Sequence, residues 1–129
     1  MDIKITPSKV SGVISAPPSK SYAHRYIIAS FLSKTNGFIS NCKPSNDVLA
    51  TLNALKTIGL DYVFTGSGVE IKQGEISLSP VLDCAESGST IRFLVPIVSA
   101  LGVKCEFTGS KRLLERPIMI KYKRTVGKD

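Results

Sequence analysis

The sequence has only three cysteines and one histidine among its 129 residues. Cys42, Cys84 and Cys105 are far apart and odd in number, which excludes a disulfide framework and zinc-type ligand spacing. No apolar run is long enough to span a bilayer, and the N-terminus lacks the basic and then apolar pattern of a signal peptide. We therefore predict a cytoplasmic protein with reduced thiols, without a metal site and without a membrane partner.

Familiar catalytic constellations are also missing from the sequence. It contains no Ser–His–Asp set and no paired-carboxylate motif, and the segment around Gly88 lacks the lysine and the glycine spacing of a Walker loop. The single histidine, His24, lies between Lys20 and Arg25. A lone histidine in such a place usually packs or donates a hydrogen bond, so we assign it no catalytic role.

The charge is unevenly distributed. The net charge is +7, of which residues 1–110 carry +2 and residues 111–129 carry +5. A basic run at one end is usually a solvated tail, and we predict this for residues 119–129. A nucleic-acid-binding domain is an alternative, but the cations do not follow one face and no aromatic stacking motif is evident. We therefore expect no nucleic-acid partner, and steeply salt-dependent binding to RNA or DNA would reverse that conclusion.

The remaining sequence is typical of a globular domain. Hydrophobic residues make up 43% and charged residues 21% of the chain, an ordinary balance for one packed domain. The hydrophobic periodicity predicts helices that begin near Ser19, at Ser45 or Asn46, and near Glu86. It predicts strands at residues 1–6, 12–16, 37–41, 61–66, 68–73, 75–84 and 103–109. This order predicts an α/β (α+β) fold with helices packed on a sheet.

Each helix has an expected buried face. For the first helix that face consists of Ala23, Tyr26, Ile27 and Phe31. For the second it consists of Leu49, Leu52 and Leu55, with Gly59 as the end of the helix. The third helix is apolar on nearly all sides, so it is expected to be deeply buried and kinked at Pro96.

Cationic and small hydroxyl residues recur where helices start. Lys20, Ser21 and Arg25 lie at the start of the first helix, where free backbone N–H groups and the helix dipole attract anions. Ser21 and Arg25 are four residues apart and share a helical face. The alternative is an ordinary helix cap with two solvated cations. The pattern favours a site for phosphate or carboxylate groups.

Two further segments have the same character. In the first, Gly88 allows close approach to the backbone, Ser89 can bind an oxyanion, and Arg92 is a charge in an apolar helix that needs an anionic partner if buried. In the second, Arg116 follows a strand and either pairs with Glu115 or holds an anion. Plain helix capping and a structural ion pair remain the alternatives for these two segments.

In this order, the motifs resemble the N-terminal part of the 5-enolpyruvylshikimate-3-phosphate synthases, a branch of the enolpyruvyl transferase family. The matching segments are "PPSKSYAHR", "SNDVLATLNALKTIG", "ESGSTIRFL" and "FTGSKRLLERPI". The resemblance covers roughly residues 5–118. The sister branch, which acts on UDP-N-acetylglucosamine, has Lys-Asn where this chain has Lys20-Ser21, so the shikimate branch fits better.

The resemblance implies a reaction and a set of contacts. The family transfers the enolpyruvyl group of phosphoenolpyruvate to the 5-hydroxyl of shikimate 3-phosphate, without a metal or another cofactor. Lys20 would contact both substrates, Ser21 and Arg25 would hold shikimate 3-phosphate, and Gly88 and Arg116 would help hold phosphoenolpyruvate. Ser89 and Arg92 are further candidates. Glu86 replaces an asparagine of many members and would repel phosphoenolpyruvate unless Arg92 or Lys20 neutralised it.

The resemblance also implies that residues 1–129 form a single partial domain. The family has two domains of repeated βαβαββ units, which make an inside-out barrel, and the strands in residues 1–16 would pair with the missing domain. The general acid and base of the family lie in the missing part, so no catalytic residue is assigned here. We expect this chain alone to be inactive. The alternative is a non-catalytic phosphate-binding or partner-binding fragment of a split enzyme, with a complementary C-terminal fragment as its partner.

Overall fold

Helices and strands alternate through most of the described chain. The structure, a computed structural model, describes residues 2–77 and 80–117. In chain order, the elements are α1 (Lys20–Ser33), β1 (Gly37–Ser40), α2 (Asn46–Lys56), β2 (Ile58–Phe64), β3 (Gly68–Ile76), β4 (Val81–Asp83), α3 (Gly88–Leu101), β5 (Glu106–Thr108) and α4 (Lys111–Leu114). This mixed architecture confirms the predicted α/β (α+β) class. The predicted basic tail at residues 119–129 lies outside the described residues.

Each of these helices begins at a serine. A serine hydroxyl before the first turn accepts a hydrogen bond from a backbone N–H that has no partner within the helix. The N-cap residues are Ser19, Ser45, Ser87 and Ser110. Caps at Ser19 and Ser45 are as predicted, whereas the short helix α4 was not predicted because four residues carry too little periodicity.

The strands form two separate sheets. β3 lies between β1 and β2 and pairs antiparallel with both. The β2–β3 hairpin around Ser67 was predicted from its glycines. β4 and β5 form a two-stranded parallel sheet, and α3 makes the crossover between them, as parallel strands require.

Helix α2 lies at the centre of the packing. It packs against β2, β3 and β4 and also contacts α1 and α3. Leu52 and Leu55 are fully buried in the main hydrophobic core, together with Ile27 of α1 and Leu94 of α3. A second, smaller core of Cys84, Ile91 and Leu113 lies beneath the ends of β4 and β5. One helix therefore fixes the relative positions of the other two long helices.

The N-terminal segment differs from its prediction. Residues 2–19 contain neither helix nor strand, so the strands expected within residues 1–16 are not formed in the described part of that segment. Its large apolar side chains are exposed, Val13 and Ile14 among them. That these residues pair with a further domain, and that residues 1–129 form one partial domain, stay predictions.

Three expectations about the helices are wrong in detail. Tyr26 is 57% exposed and stacks on Tyr22 instead of anchoring α1 in the core, because it lies one residue outside the face that contains Ile27. Helix α2 ends at Lys56, and Gly59 lies in β2 at a register shift with a φ of 108°. Helix α3 is buried on one face only, and Leu101 at its end is 47% exposed.

None of the helices within residues 2–77 and 80–117 is long and apolar enough to cross a membrane.

Candidate anion-binding site

The first turns of α1, α2 and α3 are joined by polar contacts. Lys20, the first residue of α1, pairs with the carboxylate of Asp47 in the first turn of α2 at 3.2 Å. The backbone carbonyl oxygen of the same Asp47 lies 3.5 Å from the hydroxyl oxygen of Thr90 in the first turn of α3. Both helix starts that the sequence singled out therefore flank the start of α2.

Arg25 connects α1 to α3 by a second route. Its guanidinium donates a hydrogen bond of 2.9 Å from Nη1 to the carbonyl of Ser21, which confirms that the two residues share one face. The guanidinium carbon also lies 5.7 Å from the ring centre of Phe93 on α3. Such a cation–π contact holds the planar group in one orientation while its other N–H donors stay available. Lys20, Ser21 and Arg25 are all exposed.

A buried chain of hydrogen bonds runs beneath these helix starts. His24 Nδ1 lies 2.8 Å from the hydroxyl of Thr51, and that hydroxyl lies 2.7 Å from the hydroxyl of Thr90. Thr90 in turn donates 2.7 Å to the hydroxyl of Ser87, the N-cap of α3. All four side chains belong to residues at most 3% exposed. The chain satisfies polar groups that would otherwise be costly to bury.

Burial sets the protonation of His24. Removal from water lowers the pKa of His24, and the nearby charges of Lys20 and Arg25 lower it further, while Asp47 acts in the opposite direction. The neutral imidazole is therefore favoured, and its tautomer decides whether Nδ1 donates to or accepts from Thr51. This agrees with the prediction of a hydrogen-bonding residue.

The loops that follow β4 and β5 build the third part of the site. The Cys84 N–H donates to the Thr108 carbonyl at 2.9 Å, and the Ser110 N–H donates to the Ala85 carbonyl at 2.8 Å, so the two loops run together beyond the sheet. Both lie at the carboxyl ends of parallel strands, where ligands of α/β proteins commonly bind. The loop after β4 leads into Gly88, and the loop after β5 leads through α4 to Arg116.

Gly88 and Arg116 are neighbours. A Cβ atom at position 88 would lie 3.1 Å from Nη1 of Arg116. Glycine therefore leaves room for this guanidinium beside the first turn of α3. The structure thus brings together two candidate residues that are far apart in the sequence.

Other expectations for charged residues are not met. Arg92 is exposed, so the reasoning from a buried guanidinium was wrong. Glu115 pairs at 3.9 Å with Lys111 one turn earlier, not with Arg116. Lys20 pairs with Asp47 and does not neutralise Glu86. Among the described residues, the ion pairs include neither Arg92 nor Glu86.

Sequence reasoning overlooked Thr51 and the carboxylate of Asp47 as parts of the site. The position of Thr51 in the sequence could have identified it. It lies three residues after Val48 and four before Leu55, on the buried face of α2, where a hydroxyl needs a partner. The pairing of Asp47 with Lys20 had no local signal, since the two residues are 27 positions apart.

These features suit an anionic ligand. The positive dipole ends of α1 and α3 are accompanied by the exposed cations Lys20, Arg25 and Arg116, and Ser21 and Ser89 are exposed at the same helix starts. Phosphate and carboxylate groups are the anions that such a mixture of N–H donors and cations holds best. Within the described residues, no three His, Cys, Asp or Glu side chains are grouped as ligands of a metal ion.

Known proteins are similar to this chain in sequence. A sequence profile of the family "EPSP synthase (3-phosphoshikimate 1-carboxyvinyltransferase)" matches residues 5–122. A 3-phosphoshikimate 1-carboxyvinyltransferase of Clostridium kluyveri is 39% identical over 123 residues, which are 93% of this chain and 29% of the relative. One of Clostridium perfringens is 43% identical over 92% of this chain and 28% of the relative. One of Brachyspira hyodysenteriae is 41% identical over 96% and 30%.

A solved structure shows the same fold. EPSP synthase from Acinetobacter baumannii superposes with a TM-score of 0.69 at 24% identity and covers 83% of this chain. The chain spans 26% of that structure and 28 to 30% of the curated relatives above. The profile match over most of the sequence shows that the chain belongs to the EPSP synthase family and corresponds to its N-terminal part.

Proposed function

We propose that this chain forms one wall of the active site of a 3-phosphoshikimate 1-carboxyvinyltransferase. The parent reaction moves the enolpyruvyl group of phosphoenolpyruvate to the 5-hydroxyl of shikimate 3-phosphate. Lys20 contacts both substrates, Ser21 and Arg25 hold shikimate 3-phosphate, and Gly88 and Arg116 help hold phosphoenolpyruvate. Ser89 and Arg92 line the same region.

The observation that carries this proposal is the meeting of the α1 and α3 starts beside Asp47. Two anionic substrates must be held close together for a transfer between them, and two helix N-termini provide two neighbouring anion-binding positions. Arg25 supplies a preset guanidinium at the first position, and Arg116 supplies one beside Gly88 at the second. The ion pair with Asp47 holds Lys20 at the start of α1.

We propose that the wall by itself does not carry out the transfer. Addition and elimination at the enolpyruvyl group need a general acid and a general base at the reacting atoms. The one histidine is buried and hydrogen-bonded to Thr51, so it is not a candidate for either role. We therefore propose that the chain binds shikimate 3-phosphate weakly and does not turn it over.

A turnover assay combined with an NMR titration tests this proposal. With both substrates present, the 129-residue chain should release no phosphate above the blank. With shikimate 3-phosphate alone, the amide signals of Lys20, Ser21 and Arg25 should shift with a dissociation constant of about millimolar size, roughly 4 kcal/mol of binding free energy. Lys20→Ala should weaken this binding about tenfold, the typical loss of a charge-assisted hydrogen bond.

Lys72→Ala is the matched control for that variant. Lys72 is also an exposed lysine in an ion pair, at 3.4 Å from Glu70, but it lies in the β3 strand away from the helix starts. It should leave the titration unchanged. Phosphate release by the chain alone would refute the incomplete site, and equal losses in the two variants would refute the assignment of Lys20.

The alternative function is a fragment of a split enzyme that binds a complementary C-terminal chain. One observation favours it: Ile5, Val10 and Val13 are each at least 86% exposed in a segment without strands. Apolar side chains in such number favour burial against another polypeptide. Adding a chain that contains the remaining part of a relative should then restore turnover. No recovery, in a mixture where both chains are folded, would exclude this alternative.

A further inference from the structure

The buried hydrogen bonds beneath the helix starts assign a role to a residue that does not contact the ligand site. Thr51 is the side chain that α2 contributes to this series, since His24 belongs to α1 and Thr90 and Ser87 to α3 and its cap. The Asp47 carbonyl of α2 adds only a longer contact to Thr90, at 3.5 Å. The Thr51 hydroxyl touches one partner from each neighbouring helix. Helix α2 is also the element that packs against both of them.

We propose that Thr51 is a positioning residue that fixes the start of α3 relative to the start of α1. Acting through Thr90 and Ser87, it sets where the N–H groups of Gly88 and Ser89 point. Acting through His24, it sets the first turns of α1, where Lys20 and Ser21 lie. The inference rests on the proposed function only for its ligand, because the geometry itself can be measured without one.

The hydroxyl is suited to this role because its bonds are directional. Apolar packing tolerates small shifts of one helix against another, whereas a hydrogen bond of 2.7 to 2.8 Å limits both distance and angle. The side chains of His24, Thr51, Thr90 and Ser87 form an unbroken series, so every hydroxyl can donate to its neighbour in the same direction along the series. The order of donors is set by the ring proton of His24.

Proton counting makes the series sensitive to His24. If Nδ1 carries a proton, the Thr51 hydroxyl accepts a hydrogen bond from it and donates to the Thr90 hydroxyl, which in turn donates to the Ser87 hydroxyl. The Ser87 hydroxyl then accepts both from Thr90 Oγ1 and from the Thr90 N–H, at 2.7 and 3.2 Å. The charged groups that act on His24 are Lys20 and Arg25 of its own helix and Asp47 of α2, while α3 presents the uncharged ring of Phe93.

The decisive comparison is between Thr51→Val and Thr51→Ser in the 129-residue chain. Valine keeps the shape of threonine but has no hydroxyl, whereas serine keeps the hydroxyl. Without a ligand, Thr51→Val should speed hydrogen exchange of the Thr90 amide about tenfold, as a locally loosened first turn would. It should also shift the Gly88 and Ser89 amide signals, and Thr51→Ser should restore both within about twofold.

Two further measurements distinguish a positioning role of Thr51 from a general contribution to stability. Thr35→Val removes an exposed hydroxyl that pairs with Ser33 at 2.8 Å, so it should leave the Thr90 amide unaffected. In the titration with shikimate 3-phosphate, Thr51→Val should weaken binding several-fold while the serine variant binds like the parent. If the parent chain shows no binding at all, the proposed function fails, but the exchange and shift measurements still decide the role of Thr51.

A measurement on the parent chain covers the case in which Thr51→Val does not fold. As the pH falls and the His24 ring signals titrate, the amides of Thr90 and Gly88 should shift with the same midpoint, while Ile71 in the sheet should not. Exchange at Thr90 unchanged in a folded Thr51→Val variant would overturn the proposal. So would ring titration of His24 in the parent chain with no response at Thr90.

Discussion

Helices α1 and α3 have the same length and similar caps, but they carry different residues at their starts. Each has 14 residues, begins at a serine whose hydroxyl accepts from the amide three residues later, and ends at a residue in the left-handed conformation. At its start α1 carries the charge of Lys20. The start of α3 instead carries Gly88, which leaves its backbone open, and the buried Thr90.

The two helices also differ in what precedes them. Helix α3 connects two parallel strands, so both of its ends are tied to a sheet. Helix α1 leads into β1, but the segment before it contains no strand. The comparison shows that the same serine-capped helix start can bind an anion in two different ways. A helix start with a cation attracts an anion, and a start without a side chain lets the anion approach the backbone.

The largest expected effect tests whether the two helices share one cooperative core. Ile27 of α1 and Leu94 of α3 are both 0% exposed in the main core. Ile27→Ala and Leu94→Ala should each lower the free energy of unfolding by about 2–5 kcal/mol, the usual cost of such a cavity. Urea unfolding followed by circular dichroism measures both.

A difference between the losses of unfolding free energy in Ile27→Ala and Leu94→Ala would distinguish the two helices. A much smaller loss for Ile27→Ala would mean that α1, lacking a strand before it, unfolds separately from the rest of the core. Leu114→Ala is a suitable control because Leu114 is 53% exposed and should change stability little.

A smaller effect is expected at the start of α3. Gly88→Ala places a methyl group 3.1 Å from Nη1 of Arg116, and this flexible side-chain end can move aside. The free energy of unfolding should therefore change little, while binding of phosphoenolpyruvate by the chain, or by the chain with its complementary part, should weaken about threefold or more, since the guanidinium is displaced. An NMR titration measures the loss.

Gly102→Ala is the contrasting variant for that experiment. Gly102 has a φ of 68° at the other end of α3, so alanine there is strained and should destabilise the chain without changing binding to the folded fraction. A Gly88→Ala variant that lost stability but kept its affinity would contradict the assigned role.

The smallest effect concerns the pH dependence of stability. Burial lowers the pKa of His24, so the unfolded chain takes up a proton more readily than the folded chain. This contribution to stability is complete above the ordinary histidine pKa of about 6.5 and is lost as the pH falls toward the folded value. The urea concentration at the midpoint of unfolding should fall as the pH is lowered from 8 to 5, and it should fall less in His24→Asn. An equal fall in the parent chain and in His24→Asn would show that groups other than His24 cause the pH dependence.

Much of this arrangement could be predicted from local patterns. The caps at Ser19 and Ser45, the glycine-flanked hairpin and most of the apolar spacing of α1 and α2 depend on residues close in sequence. The candidate cations could be found because they cluster with small hydroxyl residues at helix starts. The pairing of Lys20 with Asp47 and the proximity of Gly88 to Arg116 could not, because both arise from the packing of distant segments.

The errors have physical causes as well. Alternation in residues 1–16 predicted strands, but a strand needs a neighbour for its hydrogen bonds, and none of the described residues supplies one. The even spread of apolar residues in α3 predicted burial on all sides. The buried residues of α3, Thr90, Ile91, Leu94 and Val98, lie on one of its faces, so Leu101 is exposed and Arg92 lies on the surface.

The hydrogen-bonded series from His24 to Ser87 also constrains how this sequence can change over generations. Loss of one hydroxyl leaves its neighbours buried without partners, whereas exchange of both members of a pair for apolar groups of similar shape costs little. We therefore expect that joint substitutions at positions 24, 51 and 90 destabilise the fold less than the sum of the single substitutions would. An engineered change at any one of these three positions on three helices should therefore be designed together with the other two.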